Sequence, residues 1–308
     1  MILCCGEALI DMIAEATVSG ASGFVPHSGG AVFNTAIALG RLGAPVGMLT
    51  GLSRDMFGTQ LSDALRTSQV DAAHVINSDR PTTLAFVQLA NGHASYSFVD
   101  ENTAGRMLQP EDMPTQLPAI SALYFGGISL ACEPCADAYS AVLDRHGPDR
   151  AVMLDPNIRP GFIKDETRYR TRLNRMIAQT DILKVSDEDL DWIVPGPESA
   201  SQKVSLMMQA GPVVVIVTRG GDGATGYLAD GSEVSVAVKP VEVVDTVGAG
   251  DTFNAGVLAA LDRSGQLSKP GLRALGSQDL KSALARGADV AAVTVSRAGA
   301  NPPWLHEL

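Results

Sequence analysis

The segment Asp245-Thr246-Val247-Gly248-Ala249-Gly250-Asp251 combines two carboxylates with a Gly-Ala-Gly turn, and the apolar residues 253–261 that follow have a helical pattern. Glycines at 248 and 250 let ligand oxygens approach the backbone. The first N–H groups of a helix are unpaired and lie at the positive end of its dipole. Phosphate oxygens suit such a cradle. Asp251, in the first turn, is placed to take a proton from a hydroxyl that attacks a γ-phosphate held by those same groups. Asp245, on the preceding loop, could bind or orient a cation. Both aspartates could instead be helix caps, but a cap needs no glycines on either side of an alanine.

Three further segments carry polar side chains where ligands could meet them. Strand-like residues 2–5 run into Gly6-Glu7-Ala8-Leu9-Ile10-Asp11, which leaves Asp11 just beyond the carboxyl end of a strand. A carboxylate there suits sugar hydroxyls, and an ordinary turn aspartate is the competing reading. Ser28-Gly29-Gly30-Ala31-Val32-Phe33-Asn34 opens a helix with two glycines and places Asn34 one turn in, a set of donors that a polyol could use. Loop flexibility explains the glycines but not an amide among apolar neighbours. In Asp155-Pro156-Asn157-Ile158-Arg159-Pro160 the prolines stiffen a loop that presents Asn157 and Arg159. Arg159 could reach a sugar or a phosphate, or be a solvated turn residue.

Other patterns point away from chemistry. Gly221 to Gly226 matches G-x-G-x-x-G, yet a dinucleotide fingerprint must open a helix. Here residues 224–228 and 234–238 read as two short strands around Asp230-Gly231, so a dehydrogenase is rejected. The chain has no Gly-Lys dipeptide and therefore no G-x-x-x-x-G-K-[ST] loop. Cys132-Glu133-Pro134-Cys135 has the spacing of a redox pair or half a zinc site, but no second ligand pair accompanies it. Four cysteines in 308 residues form no disulfide framework.

The positioning elements follow from the hydrophobic pattern. Apolar β-branched runs at 46–51, 122–125, 152–155, 182–185 and 213–218 alternate with helical patterns at about 31–42, closed by Gly43, and at about 57–67, 135–145, 200–209, 251–263 and 277–293. That rhythm predicts βαβ units and a mostly parallel sheet. A further strand is expected at 242–244. The strand-like segments 83–90 and 93–99, separated by Asn91-Gly92, predict a hairpin outside the rhythm.

With 45% hydrophobic and 19% charged residues, the chain can bury a large core. A net charge of -11 argues against nucleic acid and anionic membranes as partners and favours small ligands. No basic leader or membrane-length apolar run is evident, so a cytoplasmic protein is expected.

Taken together, these segments and their order resemble the PfkB-type, ribokinase-like carbohydrate kinases, most closely their fructokinase branch. The resemblance covers nearly the whole chain, and the 245–251 signature is its most specific part. It implies a single domain over residues 1–308: an α/β, three-layer αβα sandwich with a small β lid from about 12–25 and 83–99. It further implies that Asp251 is the catalytic base, with Gly248, Ala249 and Gly250 as the anion hole. Asp11, Gly29, Gly30, Asn34, Asn157 and Arg159 would contact the sugar, and Lys184, Ser186, Thr218, Gly220 and Gly223 the nucleotide. ATP with Mg²⁺ is the implied phosphoryl donor. In similar kinases a monovalent cation, usually potassium, sits behind the anion hole, which implicates Asp245, Val247 and the segment around Arg297 and Gly299. Similar kinases often dimerise through the lid, and a homodimer of that kind is left open.

Two departures stand out. Where the family often has Asn-x-x-Glu near the metal-bound phosphates, this chain has Ser186-Asp187-Glu188-Asp189, and the shorter Asp189 weakens the metal assignment. Val32-Phe33 occupies the place of a proline common between Gly-Gly and Asn, so sugar preference could differ. The expected reaction is transfer of the ATP γ-phosphoryl to a ketohexose such as fructose. The competing readings are a 2-keto-3-deoxygluconate kinase, whose acidic substrate would use Arg159, and a non-catalytic sugar or nucleotide sensor on the same scaffold.

Overall fold

The structure is a computed structural model that describes residues 1–90 and 93–308. Its strands are β1 (Ile2–Cys5), β2 (Leu9–Ala16), β3 (Ser22–Gly29), β4 (Val46–Leu49), β5 (Gly51–Ser53), β6 (Ile76–Ser78), β7 (Leu84–Ala90), β8 (His93–Val99), β9 (Ala122–Gly126), β10 (Ala151–Asp155), β11 (Ile182–Ser186), β12 (Val214–Thr218), β13 (Ala224–Leu228) and β14 (Glu233–Val236). The helices are α1 (Ala31–Arg41), α2 (Met56–Thr67), α3 (Cys135–His146), α4 (Glu166–Ile177), α5 (Asp187–Ile193), α6 (Ala200–Ala210), α7 (Ala249–Arg263), α8 (Lys269–Arg273) and α9 (Ser277–Val295).

The described residues form an eight-stranded sheet in the order β14-β13-β12-β11-β10-β9-β1-β4. Pairing is parallel from β4 to β12 and antiparallel only at the β13 and β14 edge. Alternation along β1 explains the layers. Ile2 and Cys4 enter one core with α1, α2, α7 and α9, whereas Leu3 and Cys5 enter the other with α3, α4, α5 and α6. Strands buried on both faces read as continuous apolar runs, which is why β9 to β12 were visible in the sequence.

A second sheet, β3-β2-β7-β8, stands beside the first. It contains the segments expected to form a lid. The expected hairpin is present as antiparallel β7 and β8, while the Asn91-Gly92 turn lies outside the described residues. Phe24 and Phe86 pack edge to face on this sheet, 5.2 Å between ring centroids.

Three expectations change. Asp11 is not in a loop beyond β1 but within β2, opposite His27. Residues 242–244 are not a strand: the N–H groups of Val244 and Asp245 bond the carbonyl of Val295 at the end of α9, and both valines of the run are exposed. The valine pattern signalled β propensity, but the backbone found a helix end instead of a sheet edge. Helix α4 was missed because five polar or charged residues separate its core contacts. Tyr169, Leu173, Met176 and Ile177 face the core, and Arg172 is buried in ion pairs with Glu133 and Asp137.

As expected, the glycines after β12 open no long helix. Residues 220–222 make a short turn that leads into the antiparallel pair β13 and β14. Cys132 and Cys135 are buried free thiols, and Cys135 Sγ bonds the Cys132 carbonyl at 3.0 Å. Burial pushes both thiols up, so neither is a ready thiolate.

Candidate active site

Helix α7 starts at Ala249, with Gly248 as its cap in the left-handed region at φ 76°. Only glycine takes that conformation without strain. A Cβ there would also lie 2.6 Å from the Cβ of Ala300. The turn therefore fixes two things together: the direction of α7 and the approach of the 298–301 segment. The N–H groups of Gly250 and Asp251 are first-turn donors without an intrahelical acceptor.

Asp251 is the third residue of α7 and only 7% exposed. Asn34 Nδ2, from α1, donates to its Oδ2 at 2.9 Å. The hydroxyl of Thr35 donates to the Asp251 carbonyl at 3.1 Å, so consecutive residues of α1 hold both the side chain and the backbone. Burial pushes the carboxyl of Asp251 up to about 7, against the bond from Asn34 and the charge of Lys184, which favour the ionised form. A carboxyl poised there can accept a proton near neutrality.

Beneath the turn lies a buried polar network. Lys184 Nζ donates to Asp155 Oδ2 at 3.0 Å, and Asn254 Nδ2 donates to the same oxygen at 2.7 Å and to the Tyr124 hydroxyl at 3.0 Å. Asp155 Oδ1 and Asn254 Oδ1 have no partner among the described residues, so acceptor capacity remains beside the ammonium. A Cβ on Gly250 would sit 3.4 Å from Lys184 Nζ, which places a buried positive charge against the glycine turn.

Glu7, at the end of β1, joins the elements that carry these groups. Its carboxylate accepts from the N–H groups of Ala31 at 3.0 Å and Ser129 at 3.2 Å, and its carbonyl accepts from Phe33 N at 3.2 Å. Gly127, at φ 69°, is packed so closely that a Cβ would meet Glu7 Oε1 at 2.0 Å. Burial pushes the Glu7 carboxyl up, while the backbone donors hold it down.

Asp11 and His27 project into a cleft of about 260 Å³ between the second sheet and the α7 approach. Ser28, Val247, Gly299 and Asn301 also line it, and no arginine or lysine does among the described residues. Asp11 Oδ2 lies where a Cβ of Gly29 would be, 2.1 Å away, which explains a glycine in a strand. Burial pushes the Asp11 carboxyl up to about 6, with His27 pulling the other way. Gly30 caps α1 at φ 107° and packs under Glu7.

The starts of α1 and α7 meet, since Asn34 bonds Asp251 and a Cβ on Gly248 would lie 3.8 Å from Asn34 Nδ2. Asp11 packs against Gly29 and shares its cleft with Val247 on the approach to α7. The cation candidates also converge: Asp245 accepts from Val247 N at 3.0 Å and from Gly299 N at 2.9 Å. The Arg297 side chain instead pairs with Glu307. At the ends of β11 and β12, the Thr218 hydroxyl reaches the Val185 carbonyl at 3.4 Å. Gly220 has open space where a Cβ would be, and Gly223 is packed against the Val236 carbonyl.

Several candidates have other partners. Ser186 and Asp189 form a reciprocal cap at the start of α5, and Asp189 Oδ1 accepts from Ile158 N at 3.0 Å. The side chain expected near metal-bound phosphates is occupied with its own helix and the 155–160 loop. Asn157 is in the left-handed region at φ 43°, and Arg159 is exposed and bonds the neighbouring Ile158 carbonyl. Sequence reasoning missed Asp155, Asn254, Tyr124 and the bonding role of Glu7. Asp155 and Glu7 sat inside recognised motifs, and Asn254 lies three residues after Asp251, but their pairings span distant parts of the chain.

Comparison with known proteins gives the family. Residues 1–307 match the model of the pfkB family carbohydrate kinases. A fructokinase of Rhizobium leguminosarum bv. trifolii is 49% identical over 91% of this chain and 86% of its own length. A fructokinase of Klebsiella pneumoniae is 32% identical over 84% of each chain. The crystal structure of Xylella fastidiosa fructokinase with bound ATP superposes with a TM-score of 0.88, at 27% identity, over 97% of this chain and 93% of that one. With a ribokinase-like fold and this set of relatives, the chain belongs to the pfkB family of carbohydrate kinases and is an ATP-dependent sugar kinase.

Proposed function

We propose that the sugar is fructose, phosphorylated on a terminal hydroxyl with Asp251 as the catalytic base. The observation that carries this reading is the placement of Asp251: a buried carboxyl, raised to about 7 by burial, beside the first-turn N–H groups of α7. The sugar hydroxyl gives its proton to Asp251 as its oxygen attacks the γ-phosphorus, and the bond from that phosphorus to the β–γ bridging oxygen breaks to release ADP. The first-turn N–H groups of Gly250 and Asp251 stabilise the charge on the transferring group, whereas the N–H of Ala249, expected to share in this, bonds the Thr246 carbonyl at 3.3 Å. Asn34 keeps the carboxylate aimed, and Lys184 supplies positive charge under the turn.

The cleft favours a neutral sugar. Asp11 and Glu15 lie on its side of the second sheet, and among the described residues no basic side chain except His27 lines it. A carboxylated substrate such as 2-keto-3-deoxygluconate would meet like charge there, and Arg159 is bonded elsewhere. Fructokinases at 49% and 32% identity support the same choice.

Thr218, Gly220 and Gly223 border the nucleotide, for which the open surface at Gly220 leaves room. No group of three or more His, Cys, Asp or Glu able to hold a metal occurs among the described residues. Magnesium, which would offset phosphate charge, fits as an ion held mainly by the nucleotide. Asp245 with backbone carbonyls near Val247 and Gly299 gives an oxygen donor set suited to potassium. The chain acts as one domain whose second sheet closes over the sugar and excludes water, in the cytoplasm; a homodimer through that sheet is part of the same reading. No helix among the described residues is long and apolar enough to cross a membrane. The direct test is turnover on fructose, 2-keto-3-deoxygluconate and other sugars with ATP and Mg²⁺. Fructose should give the highest kcat/KM, and a preference for the acid would overturn the choice.

A further inference from the structure

We propose that His27 is a specificity-determining residue, hydrogen-bonding a sugar hydroxyl adjacent to the one bound by Asp11. The inference rests on the reading of the cleft as the site of a neutral sugar. Strands β2 and β3 are antiparallel in a register that sets Asp11 directly opposite His27. Directly opposed residues project from the same face with Cβ atoms about 5 Å apart. Both side chains line the cleft.

The two groups are chemically complementary. An ionised Asp11 can only accept hydrogen bonds, whereas an imidazole always carries at least one N–H donor. A hydroxyl that gives its proton to a carboxylate still has lone pairs to satisfy, and its neighbour on a polyol has both needs. A carboxylate and an imidazole side by side meet two adjacent hydroxyls in a way that neither does alone. His27 is also available. Among the described residues its Nε2 pairs loosely with Glu15 Oε1 at 3.6 Å, longer than a hydrogen bond, its charge acts on Asp11 beside it, and its side chain is 44% exposed. Ser28, the neighbouring hydroxyl, is instead approached by Gln60 Nε2 at 3.4 Å. A site that bonds a hydroxyl through a fixed side chain rejects sugars that place that hydroxyl differently.

The test is steady-state kinetics of wild type, His27→Ala and His27→Gln on fructose, tagatose, sorbose and psicose, with ATP varied separately and Tm recorded. His27→Ala should raise the fructose KM about tenfold and shrink discrimination against at least one epimer by a similar factor, with kcat, the ATP KM and Tm nearly unchanged. His27→Gln, which keeps a donor, should recover part of the loss. An unchanged fructose KM, or sugar and ATP KM values rising together with a lower Tm, would overturn the proposal. Failure of the fructose reading shows in the wild-type panel alone. In that case the variants are compared on whichever sugar the wild type prefers, and an unchanged KM there still rejects His27.

Discussion

Asn34 Nδ2 donates to Asp251 Oδ2 at 2.9 Å across 217 residues of sequence, joining the first turn of α1 to the first turn of α7. The glycines that precede each residue, Gly29-Gly30 and Gly248, shape the two helix starts that meet at this bond, and in the proposed function these are the sugar side and the phosphate side.

Removing the bond should therefore change both aim and acidity. Asn34→Ala is expected to lower kcat/KM about 10- to 100-fold, from the loss of a charge-assisted hydrogen bond and of carboxylate positioning. Because the bond favours the ionised form, its loss should also move the acid limb of the rate profile to higher pH. Steady-state kinetics across pH checks both.

The wild-type profile has a defined sign. A base must be ionised to accept a proton, so kcat/KM for the sugar should rise with pH through about 7 and then level off. Lys184 favours ionised Asp251, so Lys184→Met should shift the midpoint upward by about one pH unit. A downward shift would contradict the assigned electrostatics.

The same shift has a consequence for stability. The carboxyl of Asp251 ordinarily titrates near 3.8 and is raised to about 7 when folded, so the native state binds the extra proton between those values. Stability contributed by the protonated form is present at low pH and is lost as pH rises towards 7. Asp251→Asn should thus gain stability over wild type on the order of 2 kcal/mol more at pH 8 than at pH 5, read from denaturant unfolding at the two pH values.

The glycine turn separates fold from function. Gly248→Ala forces a left-handed alanine into the Cβ of Ala300 and should cost about 1–3 kcal/mol together with at least about tenfold in kcat. Gly231→Ala is the control. Its φ of 85° carries similar strain in open space at a hairpin turn, so it should lose stability and keep kcat. Thermal unfolding and initial rates on both variants distinguish the effects.

The parts of the site that were legible in the sequence are those set locally. The 248–251 turn, the Gly29-Gly30 helix start and the β7 and β8 pair depend on residues within one or two turns of each other, and the parallel strands announce themselves because both faces are buried. The illegible parts depend on distant partners. Asp155, Lys184 and Asn254 form one cluster from β10, β11 and α7, and Glu7 meets Ala31 and Ser129 only after β1 and β9 pair. Asp189 shows the converse: its place in the family motif pointed to the metal-bound phosphates and its shorter reach weakened that assignment, and in the fold a capping box at Ser186 and the Ile158 N–H claim it. Asp11 is expected beyond the carboxyl end of β1, but the strand that carries it, β2, belongs to the second sheet.

The most direct test is fructose-dependent ADP formation by Asp251→Asn beside wild type, with fructose binding measured by calorimetry. The nearly isosteric amide keeps the space and a hydrogen-bonding oxygen but cannot accept the proton, so the rate should fall by about 10²–10⁴-fold while fructose binds within a few-fold of wild type. Turnover within tenfold of wild type would show that another group removes the proton and would contradict the account.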